Sequence, residues 1–309
     1  MERMPIIIDC DPGHDDAIAL VMACRNVRFD LLGVTTTAGN QTLGKTTANA
    51  RKLLSFLGRR PPLAKGAEKP MVRELQIALS VHGDSGLDGP SLPDTDYMPS
   101  DEPAWDLCRR LILGSPTPVT FVATGPLTNL GILFTCYPEV KENIERICLM
   151  GGGLDHGNWT VAAEFNVLVD PEAADIVFNC GIPIIMCGLD VTEKAVIHPQ
   201  EVEEIRSLGN PVAVLVAELI DFFSQFHLKM GFPGATLHDP CTIAYLLAPN
   251  LFTTEPHHVQ VETQGRLTTG MTVADRRTDP DKKPPNVLVC MDLDRRGFID
   301  LLMESCRSY

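Results

Sequence analysis

The sequence predicts an α/β protein in which helices cover both faces of an open, mostly parallel β-sheet. Apolar runs of strand length alternate with amphipathic helical patterns over the first two thirds of the chain, an order that is typical of parallel sheets. Several predicted helices begin with a polar residue followed by proline. In Asp170-Pro171-Glu172, for example, Asp170 can be the N-cap, Pro171 the first helical residue and Glu172 an acid in the first turn. We expect one domain over residues 1–309, because no segment has a linker composition and no internal repeat is visible.

The elements follow one another in a regular order. The predicted strands are 5–9, 31–37, 119–123, 144–150 and 182–187, and the helices between them are 15–25, 43–57, 104–113, 127–135 and 171–179. Later elements are the helices 199–207, 211–230 and 239–247, a β-like stretch at 258–262 and a last helix near 296–306. The segment 76–99 is rich in Gly, Pro, Asp and Ser, and we expect a long mobile loop there that could close over a site.

The composition argues against several classes of partner. The formal net charge is −14 and the pI is near 5.0, so we expect no nucleic-acid or membrane partner, both of which attract basic surfaces. No apolar run approaches the roughly 18 residues of a membrane span, and Glu218 and Asp221 interrupt the longest one. The cysteines lack C-x-x-C spacing, which indicates buried, reduced thiols. With no apolar leader at residues 1–4, a soluble cytoplasmic protein is expected.

An acidic cluster near the start of the chain is the most informative feature. Asp9, Asp11, Asp15 and Asp16 follow the apolar run 6–8 and lead into a predicted helix. Like charges this close repel one another, and burying them is unfavourable unless a cation lies among them. Oxygen ligands at the carboxyl end of a strand therefore indicate a divalent metal ion. Asp9 ends the strand and is expected to shape the turn, whereas the other three acids can converge on one point.

Two other interpretations use the same residues. An EF-hand calcium loop needs an acid at its fifth position and a glycine at its sixth; here these positions are Gly13 and His14, so that interpretation fails. A magnesium phosphotransferase of the haloacid-dehalogenase kind would use Asp9 as nucleophile and Asp11 as acid/base. The two acids that follow His14 disfavour it, but it remains the main alternative.

A second acid of interest occurs late in the chain. His238 and Asp239 precede Pro240, which begins a predicted helix. Asp239 could complete a metal site from a helix N-terminus, with His238 beside it as a proton donor. Taken alone, the tripeptide favours an ordinary N-cap next to an exposed histidine.

Further polar residues follow predicted strands or interrupt apolar stretches. Buried polar groups need partners, so these residues either cap the backbone or bind a polyhydroxylated ligand. The carboxyl ends of parallel strands form one edge of the sheet, where a ligand site is expected. The polar residues in question are Asn40, Thr124, Asn158, Glu164 and Asn166, the last two of which flank the apolar Phe165.

The order of these motifs closely resembles that of the nucleoside hydrolases, a family of calcium-dependent enzymes that cleave the N-ribosyl bond. The first motif is highly specific, and the set spans nearly the whole chain. The motifs are DCDPGHDDAIA (9–19), TTTAGNQT (35–42), ATGPLTN (123–129), LMGGG (149–153), AEFNVLVDPEAA (163–174), HDPC (238–241) and GMTVAD (270–275). The resemblance implies the nucleoside hydrolase fold, a ribonucleoside substrate and a homo-oligomer, dimer or tetramer.

The resemblance also implies a role for each polar residue. The implied Ca²⁺ ligands are Asp11, Asp16 through both oxygens, Asp239 and the carbonyl of Thr124. The implied substrate contacts are Asp15, Asn40 and Asn166 on the ribose diol, Asn158 and Glu164 near the 5′-hydroxyl, and Met150, Phe165 and His82.

The implied reaction is hydrolysis of a ribonucleoside to ribose and free base. Cleavage of the C–N bond develops positive charge on the sugar, much as in glycoside hydrolysis, and carboxylates beneath the ring would stabilise it. Asp11 would accept a proton from the attacking water. His238 would protonate the leaving base, with His82 as a second candidate or as a base contact. The alternative for His82 is a solvent-exposed loop histidine.

The predicted preference for a particular base depends on fewer residues than the predicted reaction does. Relatives that are strict for purines tend to stack the base between tryptophans, whereas here Trp105 lies on a helix that looks remote and only Trp159 is well placed. The helix around 222–227 is expected to line the base pocket and has no tyrosine there. With His82 and His238 both present, we expect a preference for uridine and cytidine. Purine or mixed specificity is the alternative, and a non-catalytic calcium- or ribose-binding module is the least favoured one.

Overall fold

A central eight-stranded β-sheet organises the protein. The structure, a computed structural model, describes residues 3–278 and 281–309. The strands are β1 (Met4–Cys10), β2 (Phe29–Thr36), β3 (Leu63–Lys65), β4 (Val119–Ala123), β5 (Ile144–Met150), β6 (Ile184–Cys187), β7 (Val196–Ile197), β8 (Ala235–Thr236), β9 (Phe252–His257), β10 (Val259–Val261), β11 (Thr272–Ala274) and β12 (Val287–Leu293). The helices are α1 (His14–Cys24), α2 (Leu43–Phe56), α3 (Leu79–His82), α4 (Ala104–Gly114), α5 (Thr128–Cys136), α6 (Phe165–Val169), α7 (Pro171–Phe178), α8 (Leu189–Thr192), α9 (Pro199–Arg206), α10 (Pro211–Lys229), α11 (Pro240–Leu247) and α12 (Arg295–Arg307), with 3-10 turns at Pro138–Asn143 and Pro249–Leu251.

The order of the sheet creates a crevice at its centre. Its strands run β3-β2-β1-β4-β5-β6-β12-β9, and all neighbours are parallel except β12 and β9. The predicted open, mostly parallel sheet is therefore confirmed. The chain runs outward from β1 to β3 and then restarts at β4, on the other side of β1. Open α/β sheets bind ligands at the carboxyl ends of the strands where the direction switches in this way.

The apolar run of β1 explains why this strand lies at the centre. Ile6 and Ile8 belong to a core that includes α1, α10 and α12. Ile7 belongs to a second core that includes α4, α5 and α7. Successive side chains of a strand point to opposite faces, so a strand covered by helices on both sides must be apolar at each position. The predicted helix layers on both faces of the sheet are confirmed.

Three strands of the central sheet were not predicted. The strand β3 has three residues, too few to show a pattern. The edge strand β9 contains Glu255 and Pro256, and a proline is tolerated at an edge because one side of such a strand pairs with no neighbour. The strand β12 does contain an apolar run, but a short isolated run does not distinguish a strand from a buried helix.

The long helix α10 differs from its prediction in one respect. By length and composition alone it could cross a membrane, whereas no such run was expected from the sequence. Half of its apolar window is buried inside the protein, where Val216 and Ile220 join the core beside α1. A buried core helix passes the same test, so this helix is weak support for a membrane span.

The segment 76–99, predicted to be a mobile loop, contains the short helix α3 and otherwise irregular backbone. His82, Leu87 and Tyr97 are buried, and Arg51 of α2 donates a hydrogen bond to the carbonyl of Thr95 at 3.0 Å. The segment therefore packs against the body of the protein, and its mobility stays a prediction.

Candidate active site

The acidic cluster lies at the turn between β1 and α1 and is almost fully buried. Asp11 and Asp16 have no exposed surface. The carboxylate of Asp16 accepts hydrogen bonds from the backbone N–H groups of Gly13 at 3.0 Å and Asp11 at 3.3 Å. It also accepts from the Thr124 hydroxyl at 2.7 Å and the Asn40 amide at 3.1 Å. Asp16 is therefore held by groups from the ends of three neighbouring strands, β1, β2 and β4.

Three carboxylates converge at the bottom of the crevice. Oxygen atoms of Asp15, Asp16 and Asp239 all lie within 4.8 Å of one another, although Asp239 comes from the start of α11. Burial raises the pKa of Asp15 to about 7, and repulsion from Asp16 adds to the shift. Burial likewise raises the pKa of Asp239 well above its usual range, with repulsion from Asp15 next in size. Such a cluster of oxygen donors fits a divalent cation, whose charge would remove the repulsion.

Asp11 lies beside this group but is held differently. One of its oxygens, Oδ2, accepts a hydrogen bond from the backbone N–H of Asn40 at 2.6 Å. The other, Oδ1, is buried and has no hydrogen-bond partner among the residues that the structure describes. A Cβ atom at Gly39 or Gly125 would collide with this carboxylate, which explains the glycines at both positions. A buried carboxylate oxygen without a partner is unfavourable unless a ligand or a proton satisfies it.

Asp9 is directed away from the cavity. Its Oδ1 accepts hydrogen bonds from the Thr35 hydroxyl at 2.5 Å and the Asn129 amide at 2.7 Å. Burial raises its pKa to about 7, and it does not line the cavity. These contacts agree with a structural role and disfavour Asp9 as a nucleophile.

A concave cavity opens above the acids, as is typical of small-molecule sites. It is lined by all the predicted site residues except Asp11 and Asp16, which lie beneath its floor. Among the described residues that line it, none is Lys or Arg. The predicted residues that line it are Asp15, Asn40, His82, Thr124, Met150, Asn158, Glu164, Phe165, Asn166, His238 and Asp239.

The polar residues of one wall also cap local backbone. Glu164 is the N-cap of α6 and accepts hydrogen bonds from the backbone N–H groups of Asn166 and Val167 and of Gly152 at 2.9 Å. The Asn166 amide in turn donates to the carbonyl of Thr124 at 2.9 Å. The predicted backbone capping is therefore confirmed, whereas binding of a ligand by these cavity-lining side chains stays a prediction.

Two histidines predicted to act on the base lie in the cavity wall, His82 buried and His238 half-buried. The ring nitrogens Nδ1 and Nε2 of His238 lie 2.8 and 2.9 Å from the hydroxyls of Thr192 and Thr236. His82 is 5% exposed, so the alternative of a solvent-exposed histidine is wrong. Burial lowers the pKa of His238 to about 3 and lowers that of His82 well below its usual value. Both rings are therefore neutral near pH 7 when no ligand is bound.

Aromatic side chains form another part of the cavity wall. Phe223, Phe226 and His227 of α10 line it, as expected for the 222–227 stretch. Trp159 also lines it and packs against Phe165 with ring centroids 4.8 Å apart. Trp105 does not line the cavity and packs against the second core, the one that contains Ile7, as expected for a remote tryptophan.

Several supporting residues escaped prediction from the sequence. The Nδ1 atom of His14 lies 3.1 Å from Nδ1 of His82, and its Nε2 atom donates to the carbonyl of Asp88 at 2.8 Å. Thr192 and Thr236 hold His238. His14 does lie inside the acidic motif, but nothing in the linear pattern indicates its partner in the segment 76–99.

Comparison with known proteins agrees with this geometry. Residues 6–300 match the family model described as inosine-uridine preferring nucleoside hydrolase. The chain is 53% identical to a pyrimidine-specific ribonucleoside hydrolase RihA of Citrobacter koseri and 52% identical to that of an Escherichia coli O7:K1 strain, in each case over 99% of both chains. It is also similar to the solved structure of a purine-preferring ribonucleoside hydrolase from Gardnerella vaginalis, with a TM-score of 0.92, 30% identity and 98% of each chain covered. A plant nucleoside hydrolase gives a TM-score of 0.91 with 32% identity over 99% of each chain. The predicted resemblance is thus confirmed, and the chain belongs to the inosine-uridine preferring nucleoside hydrolase family.

Proposed function

We propose that this nucleoside hydrolase cleaves pyrimidine ribonucleosides, uridine and cytidine, to ribose and the free base with the help of Ca²⁺. The observation that carries the proposal is the convergence of Asp15, Asp16 and Asp239 at a cavity that is also lined by aromatic and histidine side chains. This arrangement offers an acidic end for a diol and its metal ion and a flat, apolar end for a base. The full-length relatives named pyrimidine-specific support uridine and cytidine as the substrates.

The proposed cation site uses hard oxygen donors only. Asp11, Asp16, Asp239 and the carbonyl of Thr124 would hold Ca²⁺, and Asp15 lies close enough to share the site. When bound, the ion would supply Lewis-acid activation of water and of the ribose hydroxyls. The lack of Lys or Arg among the described lining residues leaves the buried acids without another source of positive charge.

The side chains beneath the ribose have distinct tasks in this proposal. The free Oδ1 of Asp11 accepts the proton of the attacking water. Asp15 accepts a hydrogen bond from the 2′-hydroxyl, and its charge, with that of Asp11, stabilises the positive charge that develops on the sugar. Asn40 and Asn166 orient the diol, and Met150 packs against the ring. Asn158 and Glu164 lie where a 5′-hydroxyl would point.

The leaving base needs a proton, and two histidines could provide it. His238, the donor implied by the family resemblance, directly precedes Asp239 but is bonded to two threonine hydroxyls. His82 has one ring nitrogen, Nε2, that bonds to none of the described residues, while its Nδ1 faces His14. Comparison of His238→Ala with His82→Ala distinguishes the two donors.

Base preference is tested by comparing substrates. We expect kcat/KM for uridine and cytidine to exceed that for inosine and adenosine. Inosine exceeding uridine by about tenfold or more would contradict the proposal and favour mixed or purine specificity, the activity named for the Gardnerella vaginalis protein. No release of base from any ribonucleoside would indicate a binding module instead. The single domain and the absence of nucleic-acid and membrane partners stay predictions.

We also propose that the protein is a cytoplasmic homo-oligomer, a dimer or a tetramer. The support for assembly is the family resemblance alone. Sedimentation of the purified protein at micromolar concentration tests it, since a single species of 33.8 kDa would be a monomer. Fractionation of cells that express the untagged chain tests its location.

A further inference from the structure

His227 has a defined tautomer. It lies in the last turns of α10, is 3% exposed and lines the cavity. Its Nδ1 atom lies 3.1 Å from the carbonyl oxygen of Phe223. A carbonyl oxygen only accepts hydrogen bonds, so Nδ1 must carry the hydrogen. In the neutral ring, Nε2 is then a bare acceptor.

This acceptor has no partner within the part of the chain that the structure describes. The ring is surrounded by aromatic groups, with the centroids of Phe223, Phe226 and Phe232 at 4.5, 5.5 and 5.8 Å. None of these rings can donate a conventional hydrogen bond to Nε2. Nε2 is therefore open to the cavity and accepts from whatever donor enters it, water or a ligand. His238 differs, because both of its nitrogens already have hydroxyl partners.

His227 lines the same cavity as Asp15 and Asp239. His238 directly precedes Asp239, and its ring centroid lies 6.0 Å from that of His227. His227 and His238 therefore lie side by side in the wall of the cavity that Asp239 also lines. A nucleoside whose diol rests on the acids projects its base from C1′ toward these rings.

We propose that His227 is a specificity residue whose Nε2 accepts a hydrogen bond from an N–H group on the edge of the nucleobase. The inference rests on the proposed function and narrows its substrate class. Uracil offers its N3–H group and cytosine its amino group to such an acceptor. A base whose edge carries no N–H donor leaves Nε2 unpaired and is a poorer substrate for that reason.

The test compares uridine with 3-methyluridine, which lacks the N3–H donor, in the wild-type enzyme, His227→Ala and His227→Gln. The alanine variant removes the acceptor and makes room for the methyl group, whereas glutamine keeps an acceptor oxygen. Both substrates are measured on the same preparation, so a loss of folded enzyme cancels from their kcat/KM ratio. 5-Methyluridine, which keeps the N3–H group, controls for the added methyl, and His257→Ala on the edge strand β9 is the matched histidine control.

We expect the ratio of uridine to 3-methyluridine to fall by about tenfold in His227→Ala, chiefly through a higher KM for uridine, and to stay near the wild-type value in His227→Gln. The ratio of uridine to 5-methyluridine should not change. An unchanged uridine to 3-methyluridine ratio in His227→Ala would overturn the inference while leaving nucleoside hydrolysis intact. A wild-type enzyme that releases no base from uridine would instead overturn the proposed function, and the inference with it.

Discussion

The hydroxyl of Thr124 donates a hydrogen bond to Oδ1 of Asp16 at 2.7 Å, although the two residues are 108 positions apart. This bond joins the end of β4 to the first turn of α1 across the central crevice of the sheet. The carbonyl of the same threonine accepts from Asn166 at 2.9 Å. Thr124 thus orients one proposed metal ligand with its side chain and offers another with its backbone.

Removal of the Thr124 hydroxyl should lower the affinity of the site for Ca²⁺ without abolishing binding. We expect Thr124→Val to lower the affinity for Ca²⁺ by about tenfold or more, because groups that orient metal ligands typically contribute that much. Thr124→Ser keeps the hydroxyl and should bind Ca²⁺ nearly as the wild type does. Calorimetric titration of both variants measures the effect, and a wild-type affinity in Thr124→Val would show that the bond is unimportant for binding.

Asp9 and Asp11 should respond very differently to the same change. Asparagine at position 9 can still accept from Thr35 and Asn129 through its oxygen, and the raised pKa of Asp9, about 7, makes a neutral side chain tolerable there. We expect Asp9→Asn to retain kcat/KM for uridine within about tenfold, and Asp11→Asn to lose a hundredfold or more as general-base variants do.

The control is the melting temperature of each variant, which should show that both are folded. A folded but inactive Asp9→Asn would contradict a purely structural role of Asp9.

Proton release should accompany metal binding. Burial raises the pKa of Asp15 to about 7 and that of Asp239 well above its usual range. The metal-free site therefore holds protons near pH 7, and Ca²⁺, which needs ionised ligands, must displace them. Titration with Ca²⁺ in buffers of different ionisation enthalpy should reveal this release. The same apparent enthalpy in all buffers would mean that the acids are already ionised.

The same shift sets the pH dependence of stability. An acid whose pKa is higher in the folded protein than in the unfolded chain binds more protons when folded, so its contribution to stability is lost as pH rises through that interval. For Asp15 the interval runs from 3.8 to about 7. We expect the melting temperature in chelator to fall between pH 5 and 8, and the increase caused by Ca²⁺ to grow. A melting temperature in chelator that rises with pH would contradict this.

The histidine that protonates the base can be identified with a substrate that needs no proton. We expect replacement of His238 or His82 by alanine to lower kcat for uridine by about a hundredfold, the usual contribution of a general acid. Hydrolysis of p-nitrophenyl riboside, whose leaving group departs as an anion, should change far less in the same variant. Equal losses on both substrates in both variants would mean that the histidines only shape the pocket.

The sequence predicted a strand correctly where its pattern of apolar residues matches the burial of that strand in the sheet. The isoleucines of β1 predicted a buried strand and the alternation of strands and helices predicted a parallel sheet, and in the structure this strand is buried on both faces. The prediction failed for β3 and β9, because three residues show no period and an edge strand tolerates charge and proline.

The site was predictable to the extent that its residues occur in recognisable motifs. Asp15, Asp16 and Asp239 do converge. The contacts that support the histidines were not predictable, because they join residues far apart in sequence. His14 and His82 are separated by 68 positions, and Thr192 and His238 by 46. Only the packing of the segment 76–99 and of α8 against the cavity brings these pairs together.

Release of free base from uridine, before and after treatment with a chelator, tests the central claim most directly. The proposal predicts hydrolysis that stops on chelation, returns when Ca²⁺ is added back, and is largely absent with 2′-deoxyuridine, which lacks one hydroxyl of the diol. Undiminished hydrolysis of uridine in chelator, together with equal rates on the deoxy substrate, would contradict a site in which the acids act through a metal ion and the ribose diol.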